Sequence, residues 1–545
     1  MKTRRVSLGK AAYLVLIPIL VIAKPSMSQP PSVSAQTSWE ENMVAAQRDV
    51  EAGKLSAAEK ELSEALQLAE TFPPDDRRQV RTLRQLAEVY HSEGKDALAE
   101  PLLKQECAIN RKTYGPTDLH VAASLDALAG VYASQNRYPE AESLYQQALG
   151  IKKQLLGPNH PSVVRTLESL AAVEAEAGNY GEAEQLYQEA LQSKSQLFGS
   201  THPSVADSLD DLAALDMEEG KFASAEPLYK GALDIRERVH GLDHPRVANS
   251  LEKLAQVYVA EGHYGHAEPL LQRALAIREK TLGANQPEVA ETLNRLALLY
   301  GDESNYEKAE AAARQALDIR QKTLGPDDPS LVESLNNLAF IYSKMGENAK
   351  AEPLDKQALA ITEKLGGKNS PLYAATLNNL GLVYANEGKY DQARSLYTPA
   401  LEILRATVGP DRPEVANTLT NLAELDIDQH QDASAQQLLE QALKIDISAL
   451  GDQHPAVATD YHNLAKLYAR QGEDAQAEMF YKKALAIQQK TLGPQHGDMA
   501  ATLKDYAALL RKLHRRAEAA KLEPQADALT QPHNSLPTAP PAPKP

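Results

Sequence analysis

Apolar residues recur along this chain with the spacing of amphipathic helices, in two alternating kinds of stripe separated by short polar breaks such as Gln135-Asn136-Arg137. Positions three and four residues apart share one face of a helix, so each stripe predicts a helix with one buried face. A representative pair of stripes is Val121, Leu125, Leu128, Ala129 and Tyr132, then Ala141, Leu144, Tyr145, Ala148 and Ile151. The pattern therefore predicts antiparallel helical hairpins, each with a helix A and a helix B.

The hairpins repeat every 42 residues without an insertion or deletion, and a glycine marks the loop between them at positions 115, 157, 199, 241, 283, 325, 367, 409, 451 and 493. A typical loop is Leu156-Gly157-Pro158-Asn159-His160-Pro161. In such a loop we expect left-handed glycine to end one helix, Asn or Asp to cap the next, and proline to fit its first turn. A single hairpin cannot cover its own apolar faces, so the hairpins must stack into a superhelix with a concave surface.

Several columns of the repeat match the tetratricopeptide repeat (TPR) signature, namely Leu335, Leu338, Ala339, Tyr342, Gly346, Ala351 and Ala358. The 42-residue length, the Leu-Gly-x-x-His-Pro loops and the pairs Asn336-Asn337 and Asn378-Asn379 resemble the kinesin light chain subtype, from about residue 76 to 514. The resemblance implies an all-α fold, a right-handed α-solenoid of about twelve antiparallel helical hairpins (a TPR superhelix). The coiled coil with which kinesin light chains dock the motor has no counterpart here, so the chain looks like a bacterial exported relative without a motor role.

We expect five segments along the chain. They are a signal peptide (1–35), a degenerate N-terminal capping hairpin (36–75), tandem 42-residue repeats (76–514), a C-terminal capping helix (515–530) and a disordered Pro-rich tail (531–545). Early cations at Lys2, Arg4 and Arg5 precede an uncharged stretch that is too short to span a bilayer comfortably. We therefore expect an exported protein, periplasmic or secreted, that starts at Gln36 and has no stable membrane span after signal removal. An uncleaved membrane anchor is the alternative.

The formal net charge of −17 would repel phosphate backbones, so we expect no nucleic-acid partner. The one dense basic cluster, Arg511, Lys512, His514, Arg515 and Arg516, is typical of a solvated face on a closing helix. No phosphate-binding glycine loop, nucleophile elbow or paired-histidine zinc helix occurs in the sequence. We therefore expect no enzymatic activity, no cofactor and no metal site.

Two kinds of reactive residue have structural interpretations. The column of His160, His202, His244 and His454 holds other residue types in other repeats, which indicates a helix-start position and not a metal ligand. Cys107 lies in a column that is leucine in every later repeat, so it is expected to be buried. Its neighbour Glu106 replaces an alanine, and the sequence leaves open whether it distorts the hairpin or finds a local partner.

The resemblance to tetratricopeptide domains implies that the residue after the first large apolar position of helix A faces the concave surface. Asn side chains both donate and accept hydrogen bonds, so an Asn ladder can hold a peptide backbone. We predict binding by Asn294, Asn336 and Asn378, with the two ends of the column selecting the charge pattern of the ligand. The end positions are Asp210 and Glu252 on one side and Thr420, His462 and Lys504 on the other. The adjacent Asn337, Asn379, Asn421 and Asn463 are interpreted as structural ties between helices.

These patterns predict a protein-protein interaction scaffold that binds an unidentified protein or peptide segment in its concave groove. The alternative is a structural spacer, or an assembly subunit of a cell-envelope complex, without a dedicated peptide ligand. The repeats record how the scaffold stacks, so the sequence does not name the partner, the pathway or the oligomeric state.

Overall fold

The computed structural model describes residues 33–73, 76–303, 305–491 and 497–530. All regular secondary structure in these ranges is α-helical, as predicted, and its 24 helices follow one another in hairpins. We call the odd-numbered first helix of each hairpin the A helix and the even-numbered second one the B helix. The predicted export signal up to residue 32, the Pro-rich tail from residue 531 and the loop glycine Gly493 lie outside the described residues.

The helices fall into two compact units, one ending at Ile151 and one beginning at Lys152. The first unit has a core that includes Trp39, Met43 and Leu62, and the Trp39 indole Nε1 donates a hydrogen bond to Thr82 Oγ1 at 2.9 Å. The helices up to the boundary, which falls within the last of them, are α1 (Val33–Glu51), α2 (Leu55–Ala69), α3 (Arg77–Ser92), α4 (Asp96–Tyr114), α5 (Leu119–Ser134) and α6 (Tyr138–Leu156).

The second unit continues the same alternation of A and B helices. Its A helices are α7 (Pro161–Glu176), α9 (Pro203–Glu218), α11 (Pro245–Ala260), α13 (Pro287–Asp302), α15 (Pro329–Lys344), α17 (Pro371–Asn386), α19 (Pro413–Asp428), α21 (Pro455–Gln471) and α23 (Gly497–Lys512). Its B helices are α8 (Tyr180–Phe198), α10 (Phe222–His240), α12 (Tyr264–Leu282), α14 (Tyr306–Thr323), α16 (Asn348–Gly366), α18 (Tyr390–Thr407), α20 (Asp432–Leu450), α22 (Asp474–Thr491) and α24 (Arg516–Thr530).

Most A helices of the second unit begin at a proline, and the residue before the proline often caps the helix. His160 Nδ1 accepts a hydrogen bond from the Ser162 amide at 3.1 Å, and His202, His244 and His454 do the same in their repeats. The sequence analysis assigned the cap to the Asn or Asp one residue earlier, which is wrong for Asn159 because its Nδ2 donates to Gln196 Oε1 on helix B, at 2.7 Å. The loop histidines are therefore helix caps, as their column predicted.

The loop glycines adopt a conformation that only glycine tolerates easily. Gly115, for example, has φ 87° and ψ 163°, so φ is positive as predicted but ψ is extended and not left-handed helical. Positive φ occurs at residues 115, 157, 199, 241, 283, 367, 409 and 451. Gly325 is an exception: its φ is not positive, and it follows Leu324, which is extended at the end of α14.

Within each hairpin, small residues let the two helices approach closely while large residues fill the space beside them. Ala297 and Ala309 are fully buried where α13 meets α14, and Leu335 and Ile341 of the following A helix belong to the same core. Successive A helices, such as α13 and α15 or α15 and α17, also contact each other directly. In a curved stack the helices that approach one another most closely lie on the inner side. The A helices therefore line the concave side of the second unit.

Candidate functional site

Each A helix of the second unit exposes a stripe of residues on the face opposite its buried apolar positions. In α15 this stripe runs through Glu333, Asn337, Phe340 and Lys344, which are exposed or half-buried, and Lys344 Nζ lies 5.2 Å from the centre of the Phe340 ring. Positions four, three and four residues apart share one helix face, so the stripe follows from the helix period. We call the combined stripes of helices α7 to α23 the groove surface.

The column predicted to bind a ligand lies mostly beside this surface and not on it. Asp210, Glu252 and Asn294 are buried, and Asn294 has 0% of its surface exposed. Glu252 and Asn294 therefore do not face the concave surface as expected, whereas Asp210 lines a cleft between α9 and α11. Each residue of this column directly precedes a residue of the exposed stripe. The column is therefore rotated by about 100° around the helix, and its side chains point toward the next A helix. Asn336, Asn378, Thr420 and His462 are half-buried and Lys504 is exposed.

The buried and half-buried members of that column join neighbouring repeats. Asn294 Nδ2 donates to Ser334 Oγ at 2.9 Å, and Asn378 Nδ2 donates to Thr418 Oγ1 at 2.8 Å. Thr292 Oγ1 donates to Glu252 at 2.6 Å with the same spacing of 40 residues. His462 contacts Asp505 of the next A helix at 2.8 Å, with a spacing of 43 residues. A direct role of this column in holding a ligand stays a prediction.

The neighbouring Asn column, which the sequence analysis interpreted as structural, lies on the groove surface. Asn379 is exposed, and Asn337, Asn421 and Asn463 are half-buried. Asn337 Nδ2 has no hydrogen-bond partner among the described residues. Within the described part of the chain, no side-chain hydrogen bond is formed by Asn379, Asn421 or Asn463. Asn337 follows the exposed Glu333 by one turn, so the two side chains share one face of α15.

A second row of the groove surface changes character along the unit. The residue three positions after the Asn column is Leu298 on α13, Phe340 on α15 and Leu382 on α17, and 36% of Leu298 is exposed. On either side of this apolar part the same row holds Gln256, and then Glu424 and Lys466. Isolated exposed apolar residues are common on proteins, but three in successive repeats form a contiguous strip.

Buried cations fasten each B helix to the next A helix in the middle of the second unit. Arg278 donates to the Glu288 carbonyl at 2.5 Å, to Thr292 Oγ1 at 3.1 Å and to Glu252 at 2.8 Å. Burial raises the pKa of Glu252, and the charge of Arg278 opposes that rise. Arg236 and Arg320 occupy the same column and contact Ser250 and Ser334 at 2.7 and 2.9 Å. These networks are closed within the scaffold, so we assign them to repeat stacking.

Charged residues line a cleft in the groove surface between α9 and α11. Its volume is about 340 Å³, and it is lined by Asp207, Asp210, Asp211, Arg236, Arg246, Asn249 and Lys253. Burial, with the nearby charge of Glu168, raises the pKa of Asp211 to about 6. Carboxylates and cations alternate around the cleft, so it offers no field of a single sign to a charged ligand.

In the first unit, Glu106 has found a local partner. Its carboxylate is held by Arg84 through two hydrogen bonds, at 2.9 and 2.7 Å, and accepts a third from Ser124 Oγ at 2.9 Å. Cys107 is buried, as its column predicted, and burial raises the pKa of its thiol. Low thiolate content makes such a cysteine a poor nucleophile.

The described ranges contain no group of three or more His, Cys, Asp or Glu side chains arranged to hold a metal ion. The rings of His240 and His244 stack with their centres 4.5 Å apart, and His244 Nδ1 is used to cap α11. None of the helices in these ranges combines the length and the apolar composition needed to cross a bilayer.

Stacked two-helix units with an exposed face on each A helix define a helical-repeat solenoid. The chain belongs to the tetratricopeptide repeat family, whose sequence model matches more than half of it, at residues 99–154, 120–196, 162–229, 204–280, 288–364, 372–448, 428–490 and 461–526. The predicted repeat class is thereby confirmed. Membership indicates a protein-protein interaction scaffold. No curated protein matches the sequence.

Solved structures that resemble the chain include kinesin light chain-like proteins. A Podosopora anserina kinesin light chain with nearly identical TPR-like repeats is 28% identical over 38% of this chain and 98% of its own, with a TM-score of 0.36. A variant of that protein, with methionine in place of one glutamine, is 29% identical over 38% and 97%, with a TM-score of 0.35. BtubC (BKLC) from P. vanneervenii is 23% identical over 46% of this chain and 96% of its own, with a TM-score of 0.34.

Proposed function

We propose that the groove surface of the second unit holds an extended segment of a partner protein. The observation that carries this proposal is the Asn row of the groove surface, Asn337, Asn379, Asn421 and Asn463. These side chains are exposed or half-buried, and Asn379, Asn421 and Asn463 form no hydrogen bond among the described residues. A half-buried polar group without a partner costs free energy, which a ligand backbone would recover. The buried column that includes Asn294 supports this function by fixing the distance between A helices.

A peptide library displayed on phage tests the proposal when it is selected on the purified chain. We expect N337A/N379A/N421A to weaken the selected peptides at least about tenfold, since each loses several hydrogen bonds of about 1 kcal/mol. The matched control is Q392A/Q476A, which truncates two exposed amides on B helices and should leave affinity unchanged. Circular dichroism of each variant verifies the fold.

The alternative function, a spacer without a ligand, predicts a different result in the same experiment. A spacer would yield no peptide whose affinity responds to the Asn row, whatever the library. N294A/N336A/N378A separates the two Asn columns: a loss of affinity with an unchanged melting temperature would assign binding to the column predicted from the sequence. We expect instead a lower melting temperature, because Asn294 and Asn378 bond the next repeat.

We also propose that the chain is exported, on the cationic start and short apolar stretch described above. Mass spectrometry of the protein recovered from a bacterial host that expresses the full sequence tests this. A mature chain that starts at Gln36 supports cleavage, whereas a chain retained in the membrane fraction with its first residues intact indicates an uncleaved anchor.

A further inference from the structure

The groove surface carries two parallel rows that are in register from repeat to repeat. One row consists of Asn337, Asn379 and Asn421, and the other of Leu298, Phe340 and Leu382. We call them the amide row and the apolar row. Neighbouring packed helices lie about 8–10 Å apart, so each row presents one side chain at about that interval. A ligand that uses several repeats must therefore repeat its own contacts at about the same interval.

Among regular backbone conformations, polyproline II fits this interval. It advances about 3.1 Å per residue with three residues per turn, so every third side chain returns to the same face after about 9 Å. A β-strand does not fit, because the side chains of its residues i and i+3 point to opposite faces of the strand. A helix advances only about 5.4 Å per turn and keeps its backbone groups bonded internally. The amide row can form hydrogen bonds only with a ligand whose backbone N–H and C=O groups are free, as they are in polyproline II.

Charge defines one end of the ligand. Past Leu382, the apolar row continues with Glu424 on α19, and Asp428 is one turn further along the same helix. Neither carboxylate has a hydrogen bond or an ion pair among the described residues. Burial raises the pKa of Glu424, the charge of Lys466 on the next A helix opposes that rise, and the charge of Asp428 adds to it. A cationic side chain of the ligand at this position would meet a net negative surface.

We infer that the amide and apolar rows bind a polyproline II segment with apolar side chains at every third residue and a lysine or arginine beyond the last of them. The inference rests on the proposed function and specifies its ligand. Leu298, Phe340 and Leu382 receive the apolar side chains, the amide row bonds the backbone, and Glu424 with Asp428 meets the cation.

Fluorescence polarisation with a labelled decapeptide tests the inference. The probe has leucine at the first, fourth and seventh positions, lysine at the tenth, and proline and serine between them; a second probe has the reverse order, because the rows do not fix the direction of the chain. The control peptide has the same composition with the leucines at alternate positions. We expect at least one of the two spaced probes to bind about tenfold or more tightly than the control peptide. Equal binding of all three peptides overturns the inference.

Matched variants locate the binding. L298Q, F340Q and L382Q should each weaken the spaced probe several-fold, and glutamine suits this row because Gln256 occupies it naturally. Leu242, which is 60% exposed in a loop, provides the control L242Q, which should have no effect. E424K should weaken the lysine-ended probe and strengthen a probe that ends in glutamate. An unchanged affinity in all three apolar-row variants contradicts the inference.

The inference and the proposed function fail in different ways. Suppose that library peptides respond to N337A/N379A/N421A but lack the three-residue spacing. The proposed function then stands and the polyproline II ligand is wrong. If no selected peptide and no probe responds to any variant of either row, both are wrong.

Discussion

Individual side chains at the joints between helices explain why the scaffold tolerates substitution at some positions and not at others. Tyr397 packs closely against α17 at Gly381, where neighbouring repeats have alanine, as at Ala339 and Ala423. A Cβ added at Gly381 would lie 2.5 Å from Tyr397 Cε1. At Gly130, on helix α5 of the first unit, the nearest atom would be Tyr145 Oη at 3.5 Å, an ordinary contact.

Alanine at these two glycines should therefore have opposite effects. We expect G381A to lower the free energy of unfolding by about 1–3 kcal/mol through overpacking, and G130A to raise it by up to about 1 kcal/mol through helix propensity. Urea denaturation monitored by circular dichroism measures both. The double variant G381A/Y397L should recover most of the loss, because Leu439 fills the same column in the next repeat. Equal effects of G381A and G130A would show that Tyr397 is not the cause.

A carboxylate pair replaces the usual buried cation and hydroxyl where α20 meets α21. Asp446 stands in the column of Arg278, and Asp460 stands in the column of Thr292. Both are 3% exposed, and each has a carboxylate oxygen without a hydrogen-bond partner among the described residues. Burial raises the pKa of both groups, the charge of Asp446 raises that of Asp460, and Glu414 on α19 adds further negative charge.

This pair should make the protein more stable in mild acid than in mild alkali. A raised folded-state pKa means that the folded chain binds more protons than the unfolded chain, whose carboxyls titrate near pH 4. The free energy of unfolding therefore falls as the pH rises from about 4 through the raised pKa values, by at most about 1.4 kcal/mol per pH unit for each proton.

Thermal denaturation at pH 6 and pH 8 measures this pH dependence. The variant D446R/D460T introduces the cation and hydroxyl found at Arg278 and Thr292, and we expect it to reduce the difference in melting temperature between the two pH values. Asp355, whose pKa burial raises to about 7, contributes independently, so the comparison is made in a D355N background. A chain with both carboxylates that is equally stable at the two pH values would show that the pair does not retain extra protons in the folded state.

At the scale of the element, helix starts and ends were predictable where the sequence repeats a local signal. The prolines at the first positions of A helices and the loop glycines predicted the hairpin boundaries correctly. The capping residue was misassigned by one position because Asn and Asp are better caps in general than histidine. The structure favours histidine because the residue directly before the proline is the N-cap, and the Asn at that loop's preceding position reaches helix B instead.

Caps should therefore respond to substitution at the position before the proline. Gln286 precedes α13 and forms no capping hydrogen bond, whereas Asp328 caps α15 by accepting from the Ser330 amide at 2.9 Å. We expect Q286D to raise the free energy of unfolding by about 0.5–1 kcal/mol, and H244A to lower it by about 1 kcal/mol. Urea titrations of both variants provide the measurement. A destabilising Q286D would mean that this loop does not use the capping geometry of its neighbours.

The groove surface was less predictable than the hairpins. Asn336 and Asn337 are adjacent, and both lie between the apolar positions Leu335 and Leu338 of helix A. The apolar pattern alone therefore does not decide which of the two faces the groove. The choice depends on which side of helix A the next repeat covers, and this contact between repeats is not recorded in the sequence of one hairpin. The apolar row was missed for the same reason: Leu298, Phe340 and Leu382 resemble core residues until the buried face of the helix is known.

On the scale of the second unit, contacts occur between residues far apart in sequence. Arg412 donates to the Glu176 carbonyl at 3.2 Å, across 236 positions, and a Cβ at Gly220 would lie 2.7 Å from Pro455 Cδ. Hairpin signals describe only neighbouring repeats, so these contacts could not be read from the sequence. They arise because a small rotation per repeat accumulates until distant repeats meet. The ion pair between Arg412 and Glu176 is exposed and contributes about 1 kcal/mol at most.

Site-specific photo-crosslinking tests most directly whether the exposed face of the A helices is where a partner segment lies. A photoreactive amino acid is placed at Asn379 on the groove surface in one variant and at Gln392, an exposed position of helix α18, in another. Each is irradiated with a peptide selected on the unmodified chain. We predict a crosslinked product from position 379 and little or none from position 392. Equal crosslinking from both positions, or crosslinking from the B helix alone, would contradict a binding site on the groove surface.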